Sequence, residues 1–436
     1  MSGRFRWSIR VGVAAVAVVT LAGTALAAIT WGAQNPVPGK FAWNYSNSLE
    51  FTGAPGTGTF LLHDAFVSDN TMPEATYYTN SPDGVAWSAP VKVSGTANAD
   101  GSSIATAGST VLVGWQTGFT SYDTASADRL VQVNYSTNNG ATWKGVSSLS
   151  TNVTRADYPI VAAAKTSSGP VNLYVAWADA DTGKIKFRVK SGAGVWSKPL
   201  TLGATSAGTG SADGFFGYTN IAATDDLVTV AWISNDKGVL KSRAINLNGV
   251  ATAAADITKW TPIATLAGRI SLKQNGFPIA AASPLDTGRV TIAWNTATAQ
   301  VYTTYDGTTI DTTPTTIWTN GALGARTYTG GYSTVAEPTP GGGIVAGWGA
   351  CKDTPLANDC DYGKNTARFD LLVSTSPDGT AFGTPVMLGD SAVKTATLND
   401  EPSFVATSGT TYVQFNAYTA SYSSYDIFTK VGTGTP

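Results

Sequence analysis

Short runs rich in Val, Ile, Tyr and Trp alternate along the chain with clusters of Gly, Asn, Asp and Pro. The first set suits a pleated surface and the second suits turns, so the pattern predicts strands throughout. Six aromatic residues mark a period: Trp87, Trp143, Trp196, Trp260, Trp318 and Phe382, at intervals of 56, 53, 64, 58 and 64 residues. The clearest copies close a polar turn: Asn80-Ser-Pro-Asp-Gly-Val-Ala-Trp87, Ser136-Thr-Asn-Asn-Gly-Ala-Thr-Trp143 and Thr375-Ser-Pro-Asp-Gly-Thr-Ala-Phe382. Each period also carries an apolar segment, often led by Pro, and a run ending in Trp, as in Val111–Trp115, Val175–Trp177, Val230–Trp232, Ile292–Trp294 and Ile344–Trp348. A third run, such as Val131–Tyr135 or Ile185–Val189, leads into the turn. Four short antiparallel strands in each period of about 58 residues make an all-β chain, one β-propeller blade per period.

Proline placement agrees with this reading. Pro has no N–H to give a ladder and is tolerated at sheet edges and strand starts. Pro159, Pro278, Pro338 and Pro402 therefore mark the innermost strand of their blades, which borders the central channel. Apolar segments near Ile104, Ile160, Ile221, Ile279, Val335 and Phe404, with Leu49-Glu-Phe51 as a weaker copy, give seven blades, or six if the chain ends form a cap. The last copy lacks an outer strand, and Phe41-Ala-Trp-Asn-Tyr45 is expected to supply it, so that the two chain ends close the ring and remove its open edges.

Composition sets the compartment. Residues 1–27 carry Arg4, Arg6 and Arg10, an apolar run over 11–22 and Ala25-Leu-Ala27, the layout of a secretory signal peptide, or of a surface anchor if uncleaved. Residues 28–40 read as a linker and 41–436 as a single propeller domain, expected to be a monomer without a membrane-inserted segment. Cleavage leaves 24 basic against 29 acidic side chains, a net charge of −5, and no basic face for a nucleic-acid partner. Cys351 and Cys360, the only cysteines, are expected to pair after export. With one histidine besides, a zinc site is not expected, and no cofactor motif is present.

The turn at Ser136–Trp143 resembles the Asp-box, or bacterial neuraminidase repeat, Ser-x-Asp-x-Gly-x-Thr-Trp, with Asn138 at the Asp place, Gly140 and Trp143. The related turns hold Asp83, Gly84 and Trp87, and Asp378, Gly379 and Phe382, with Asp one place later. The chain is thus similar to the sialidase superfamily of propellers over most of 41–431. The resemblance implies outer-hairpin turns that specify fold, away from a catalytic site. Catalytic sialidases add an Arg-Ile-Pro motif, two further arginines, a Tyr–Glu pair and an Asp. Here Asp157-Tyr158, Gly276-Phe277, Ala336-Glu337 and Asp400-Glu401 precede or adjoin the inner prolines, and no Arg-Ile-Pro occurs. The reading leans away from an enzyme.

Two classes of function stay open. One is a secreted or surface-attached propeller that binds an extracellular glycan or polymer through blade-top loops, with Tyr158, Phe215, Phe216, Tyr218, Tyr328 and Tyr332 as stacking candidates or as loop packing. The other is an exo-acting glycoside hydrolase whose acid and base come from Glu337, Glu401, Asp157 and Asp400 at the channel mouth, with Asp100 and Asp213 before two further inner strands. The same carboxylates would hold a cation such as Ca²⁺ through oxygen ligands, or simply cap strands in solvent. His63-Asp64, in the place where other copies read Gly-Trp or Ala-Trp, is either a structural pair of a divergent blade or a base with its orienting acid, although strand neighbours face opposite ways.

Overall fold

The computed structural model describes residues 29–38, 41–42, 49–68, 74–95, 98–117, 129–151, 156–167, 169–179, 181–205, 218–234, 238–268, 270, 278–352, 369–389, 397–419 and 425–434. Seven four-stranded antiparallel sheets follow one another along the chain. From inner to outer strand, blade 2 is Ala99–Ala107, Thr110–Thr117, Val131–Ser136 and Ser147–Ser148, and blades 3 to 6 repeat that order with inner strands Ala156–Lys165, Thr219–Thr224, Ile279–Ser283 and Arg326–Pro338. Each inner strand lies against that of the next blade, and the inner strand of blade 7, Thr397–Ala406, lies against that of blade 1, Leu49–Thr52. The ring is closed, and the protein is a seven-bladed propeller. No helix among the described residues is long and apolar enough to cross a membrane.

Closure uses the two chain ends, through a different segment from the one expected. Thr30–Pro36, inside the presumed linker, pairs antiparallel with Tyr425–Thr433 and forms the outer strand of blade 7. Phe41 and Ala42 instead pair with Ser68 and Val67, extending the inner edge of blade 1. The strand ending in the large aromatic is also displaced in blade 1. Phe66 stands two residues from the end of Leu61–Ser68, as Trp115, Trp177 and Trp232 do in their strands, so Ala65-Phe66 is the copy of Gly-Trp and His63-Asp64 lies two residues deeper.

Blade-to-blade spacing is fixed by the polar turns. In Ser81–Ala86 the backbone N–H groups of Val85 and Ala86 donate to Asp83 Oδ1, both at 2.8 Å, while Gly84 N–H donates to Ser81 Oγ at 2.8 Å. Asn138 receives Thr142 N–H at 2.9 Å, and Asp378 receives Thr380 N–H at 2.8 Å. Gly84, Gly140 and Gly379 take φ of 75°, 81° and 75°, which a residue with a Cβ rarely adopts. The third strand of the preceding blade grips the turn: Tyr78 Oη donates to the Asn139 carbonyl at 3.1 Å, Thr429 Oγ1 to Gly84 at 2.6 Å, and Tyr302 Oη to Gly379. The turn aromatic then packs edge-on against a ring of that blade, Trp143 on Tyr78 at 5.1 Å and Phe382 on Tyr302 at 5.9 Å. Trp318 departs from the set: it sits within the strand Thr315–Thr319 and packs forward on Tyr328 and Trp348 of blade 6.

Candidate functional site

The two ends of the ring are built differently. At one end, inner strands turn back through tight hairpins such as Ala107-Gly-Ser-Thr110, Thr224-Asp-Asp-Leu227 and Ser283-Pro-Leu-Asp286. At the other end strands stop at Thr117, Ala204, Ala267 and Lys352, and the next strands start only at Val131, Thr219, Ile279 and Phe369. Long connections on a rigid scaffold are where ligand contacts concentrate, so the loop-rich end is the candidate functional face.

Inner strands reach that end through a shared irregularity. Pairing slips between Asp100 and Ser103, Asp157 and Ile160, Tyr332 and Val335, and Asp400 and Ser403. In three of these bulges a residue turns left-handed: Gly101 at φ 65°, Ser333 at 48° and Glu401 at 49°. The two non-glycine residues cost about 1–3 kcal/mol each in that conformation. Pro159 and Pro402 fall inside bulges, where the ladder asks for no N–H, which accounts for two of the four marker prolines.

The bulge acids with described side chains are committed to structure. Gly101 N–H and Gln116 Nε2 donate to Asp100 at 2.7 and 3.2 Å, and Asn416 Nδ2 donates to Glu401 Oε2 at 2.7 Å. The side chains of Asp157 and Asp400 lie outside the described residues, as does all of Asp213. Glu337 does not belong to this group at all. It pairs with Val345 next to the hairpin Thr339–Gly343, at the far end of its inner strand, and the bulge equivalent in blade 6 is Tyr332-Ser333. Glu337 and Glu401 therefore stand at opposite ends of the channel and cannot form an acid/base pair across one sugar. Spacing from Pro misled here, because Pro338 ends its strand whereas Pro402 lies in the bulge in the middle of its own.

The carboxylate that Glu337 does meet is Glu50, which the Leu49-Glu-Phe51 segment carried without any signal beyond the rarity of Glu. Both line the central channel, whose open volume is about 100 Å³ and whose walls are mainly the small residues of the inner strands, Ala105, Ala107, Ala162, Ala164 and Ala222 among them. Glu50 is only partly exposed to water and protein surrounds it, since the space it touches is the channel itself. Burial pushes its carboxyl up to about 8, against the opposing hydroxyl of Thr106. Glu337 is raised well above the usual carboxylate range, first by burial and then by the charges of Glu50 and Asp286.

His63 and Asp64 part company, as strand geometry requires. His63 is fully buried, with Nε2 at 2.7 Å from Thr52 Oγ1 and Nδ1 at 2.7 Å from Tyr78 Oη. Burial lowers its pKa to about 3, so it is a neutral core residue on the blade 2 side. Asp64 is fully buried toward blade 7, where burial raises its carboxyl to about 8 against the pull of Gln414 and the Ala65 backbone.

The aromatic candidates with described side chains are core residues. Tyr218, Tyr328 and Tyr332 are 4%, 2% and 3% exposed, too little to offer a ring face to a sugar. Tyr328 Oη donates to Asp370 at 2.7 Å beside the Arg326–Asp370 ion pair, and Tyr332 packs on Phe369. The side chain of Tyr158 and all of Phe215 and Phe216 lie outside the described residues. Among the described arginines, Arg188 and Arg243 donate to carbonyls of Leu149 and Leu202 on the preceding blades, and Arg289 pairs with Asp286 at 2.8 Å. With Arg326 these occupy four different blades, so they do not gather around one substrate carboxylate. Among the described residues no group of three or more His, Cys, Asp or Glu is placed to hold a metal.

These features define a seven-bladed propeller with a hairpin end, a loop end and a narrow acidic channel. No protein-family model matches the chain and no curated protein matches it. Solved structures that resemble it include a Trypanosoma rangeli sialidase in complex with sialic acid, at 12% identity over 87% of this chain and 59% of that one, with a TM-score of 0.43. The chain thus spans about three-fifths of that sialidase's length. An Aleuria aurantia lectin, a six-bladed propeller with a fucose recognition mode, aligns at 14% identity over 81% and 99% of the two chains, TM-score 0.43. A Dyadobacter fermentans protein of unknown function aligns at 13% identity over 75% and 95%, TM-score 0.44. The fold assignment rests on the strand pairing of the chain itself.

Proposed function

We propose that this protein is a secreted or surface-attached binding propeller that holds an extracellular glycan or related polymer on its loop-rich end. The observation that carries this reading is an asymmetry beside the channel: most inner strands turn back through short hairpins at one end, where the long connection 247–263 lies on the outer side of its blade, while at the other end the chain between strands runs over 118–130, 205–218, 268–278 and 353–368. The sequences of those connections combine aromatic with small polar residues, Phe119 and Tyr122 in 118–130, Phe215 and Phe216 in 205–218, Phe277 in 268–278. Rings of this kind stack on sugar faces, while hydroxyl and amide groups set orientation at little entropic cost. Hydrolysis finds less support. Asp100 and Glu401 are spent on bulges, Glu337 is at the wrong end, and a channel of about 100 Å³ is small beside the roughly 300–1,000 Å³ of ligand pockets.

A glycan array with the exported chain tests the proposal. Phe215→Ala with Phe216→Ala should weaken any hit by about tenfold, roughly 1.4 kcal/mol. Monosaccharide release from a hit that disappears in Glu401→Gln would replace binding by hydrolysis. Export also entails a Cys351–Cys360 disulfide, from the end of the second strand of blade 6, Ile344–Lys352, to the sequence that follows it. Cys351 is fully buried and Cys360 lies outside the described residues. Mass spectrometry without reductant should find the linked peptides, and two alkylatable thiols in exported protein would refute the pairing.

A further inference from the structure

The chain has four glutamates, Glu50, Glu74, Glu337 and Glu401, against a surface whose exposed acids are aspartates, and two of the four line one channel. Glu337 is 8% exposed, and its carboxylate has no hydrogen bond or ion pair among the described residues. Glu50 Oε2 receives only Thr106 Oγ1 at 3.4 Å, a hydroxyl already engaged by the Phe51 carbonyl at 2.5 Å. Among the described residues no cation answers them. Lys165 reaches the channel but is exposed and acts on Asp225, while Arg289 is held by Asp286 and the Gly343 carbonyl. Asp286 adds a third negative field to Glu337.

Two acids beside one enclosed channel cannot both carry charge without compensation. We propose that the central channel binds a hydrated divalent cation of the Mg²⁺/Ca²⁺ class between Glu50 and Glu337. The donors are all oxygen: two carboxylates, the Thr106 hydroxyl and water, which is the ligand set of a hard cation. The open volume of about 100 Å³ holds several waters, at roughly 10–15 Å³ each, so the ion keeps part of its hydration shell, as Mg²⁺ does with one or two carboxylates. Glu50 belongs to blade 1 and Glu337 to blade 6, with blade 7 between them. The ion thus bridges the blades on either side of the one that closes the ring, and its role is to lock closure.

Calorimetric titration and thermal melting of the EDTA-treated full chain at pH 8, with CaCl₂ and with MgCl₂, test the site. Saturable binding of one ion per chain is expected, with a rise in Tm. Both should weaken at least about tenfold in Glu50→Gln and in Glu337→Gln, and persist in the surface control Asp306→Asn. Should either glutamine variant fail to fold, the wild type decides alone: affinity must climb at least about tenfold from pH 5.5 to pH 8 as the Glu50 carboxyl loses its proton, a range in which ordinary surface aspartates do not titrate. Absence of saturable binding, binding unchanged in both glutamine variants, or a pH-independent affinity would each overturn the proposal in favour of protons alone neutralising the pair.

Discussion

Gly140 illustrates how single residues set the geometry of the ring. A Cβ there would come to 2.2 Å from Tyr78 Oη, and the backbone sits at φ 81°. The steric and conformational faults act together, so Gly140→Ala should lower unfolding free energy by about 2 kcal/mol or more in a denaturant titration. Tyr78→Phe removes the hydroxyl that donates to Asn139 and contacts His63, without changing ring packing, and should cost about 1–2 kcal/mol by the same measurement. A result near zero for both would mean that the turn does not position neighbouring blades. Asp378 acts within its own turn: the N–H and hydroxyl of Thr380 hold its carboxyl down at about 2, so that turn persists in acid.

Strands meet differently at the closing seam than elsewhere. In blades 2 and 6 the second strand offers Gly114 and Gly347, each so close to the next blade that a Cβ would approach to 2.5 Å of Val161 or 2.6 Å of Phe404. Blade 7 has Gln414 in that place, opposite Ser403, and faces the buried Asp64 of blade 1. Ser403 Oγ in turn receives Leu49 N–H at 3.3 Å, as Ser103 receives Val161 at 3.1 Å. The seam where the chain ends meet is thus partly polar, and its outer strand is Thr30–Pro36. Removing residues through Pro38 bares the edge of Tyr425–Thr433, an invitation to intermolecular pairing. The truncated protein should melt lower than the chain begun at residue 28 and elute as aggregates in size-exclusion chromatography. An unchanged monomer would show that blade 7 stands on three strands.

For the molecule as a whole, buried acids govern the response to pH. Glu50 and Asp64 titrate near 8 in the folded chain and Glu337 well above its ordinary range, against about 4 when unfolded. Each binds its proton more tightly when folded; the stability that Glu50 and Asp64 add is complete below about pH 4 and is lost as pH rises toward 8, and that of Glu337 is likewise present in acid and lost as pH rises. His63, lowered to about 3, works the other way and withdraws stability as pH falls from about 6.5. The sum predicts a metal-free protein that melts higher at pH 5.5 than at pH 8, with Asp64→Asn flattening the difference. A Tm that rises steadily to pH 8 in EDTA would contradict the buried positions of these acids. The same arithmetic makes any stabilisation by cation greatest at pH 8.

Period, turn chemistry and proline placement determined the propeller class and the strands of most blades, with the count left at seven or six and the closing strand misplaced, because those signals are local: a left-handed Gly, an Asp that caps N–H groups and an edge without a ladder bond all act within a few residues. Local signals also located Trp115, Trp232, Trp294 and Trp348 in the core. What they did not determine is phase. Pro338 looks like Pro402 in sequence but ends its strand, Trp318 keeps the interval without occupying the turn, and His63-Asp64 precedes the Phe66 that takes the tryptophan place. Each of those positions was settled by pairing with a partner strand, where one residue of register decides which face or end a side chain occupies. The approach of Glu50 to Glu337 was beyond local reading altogether, since residues 287 positions apart meet only when the first and sixth blades are drawn around one axis.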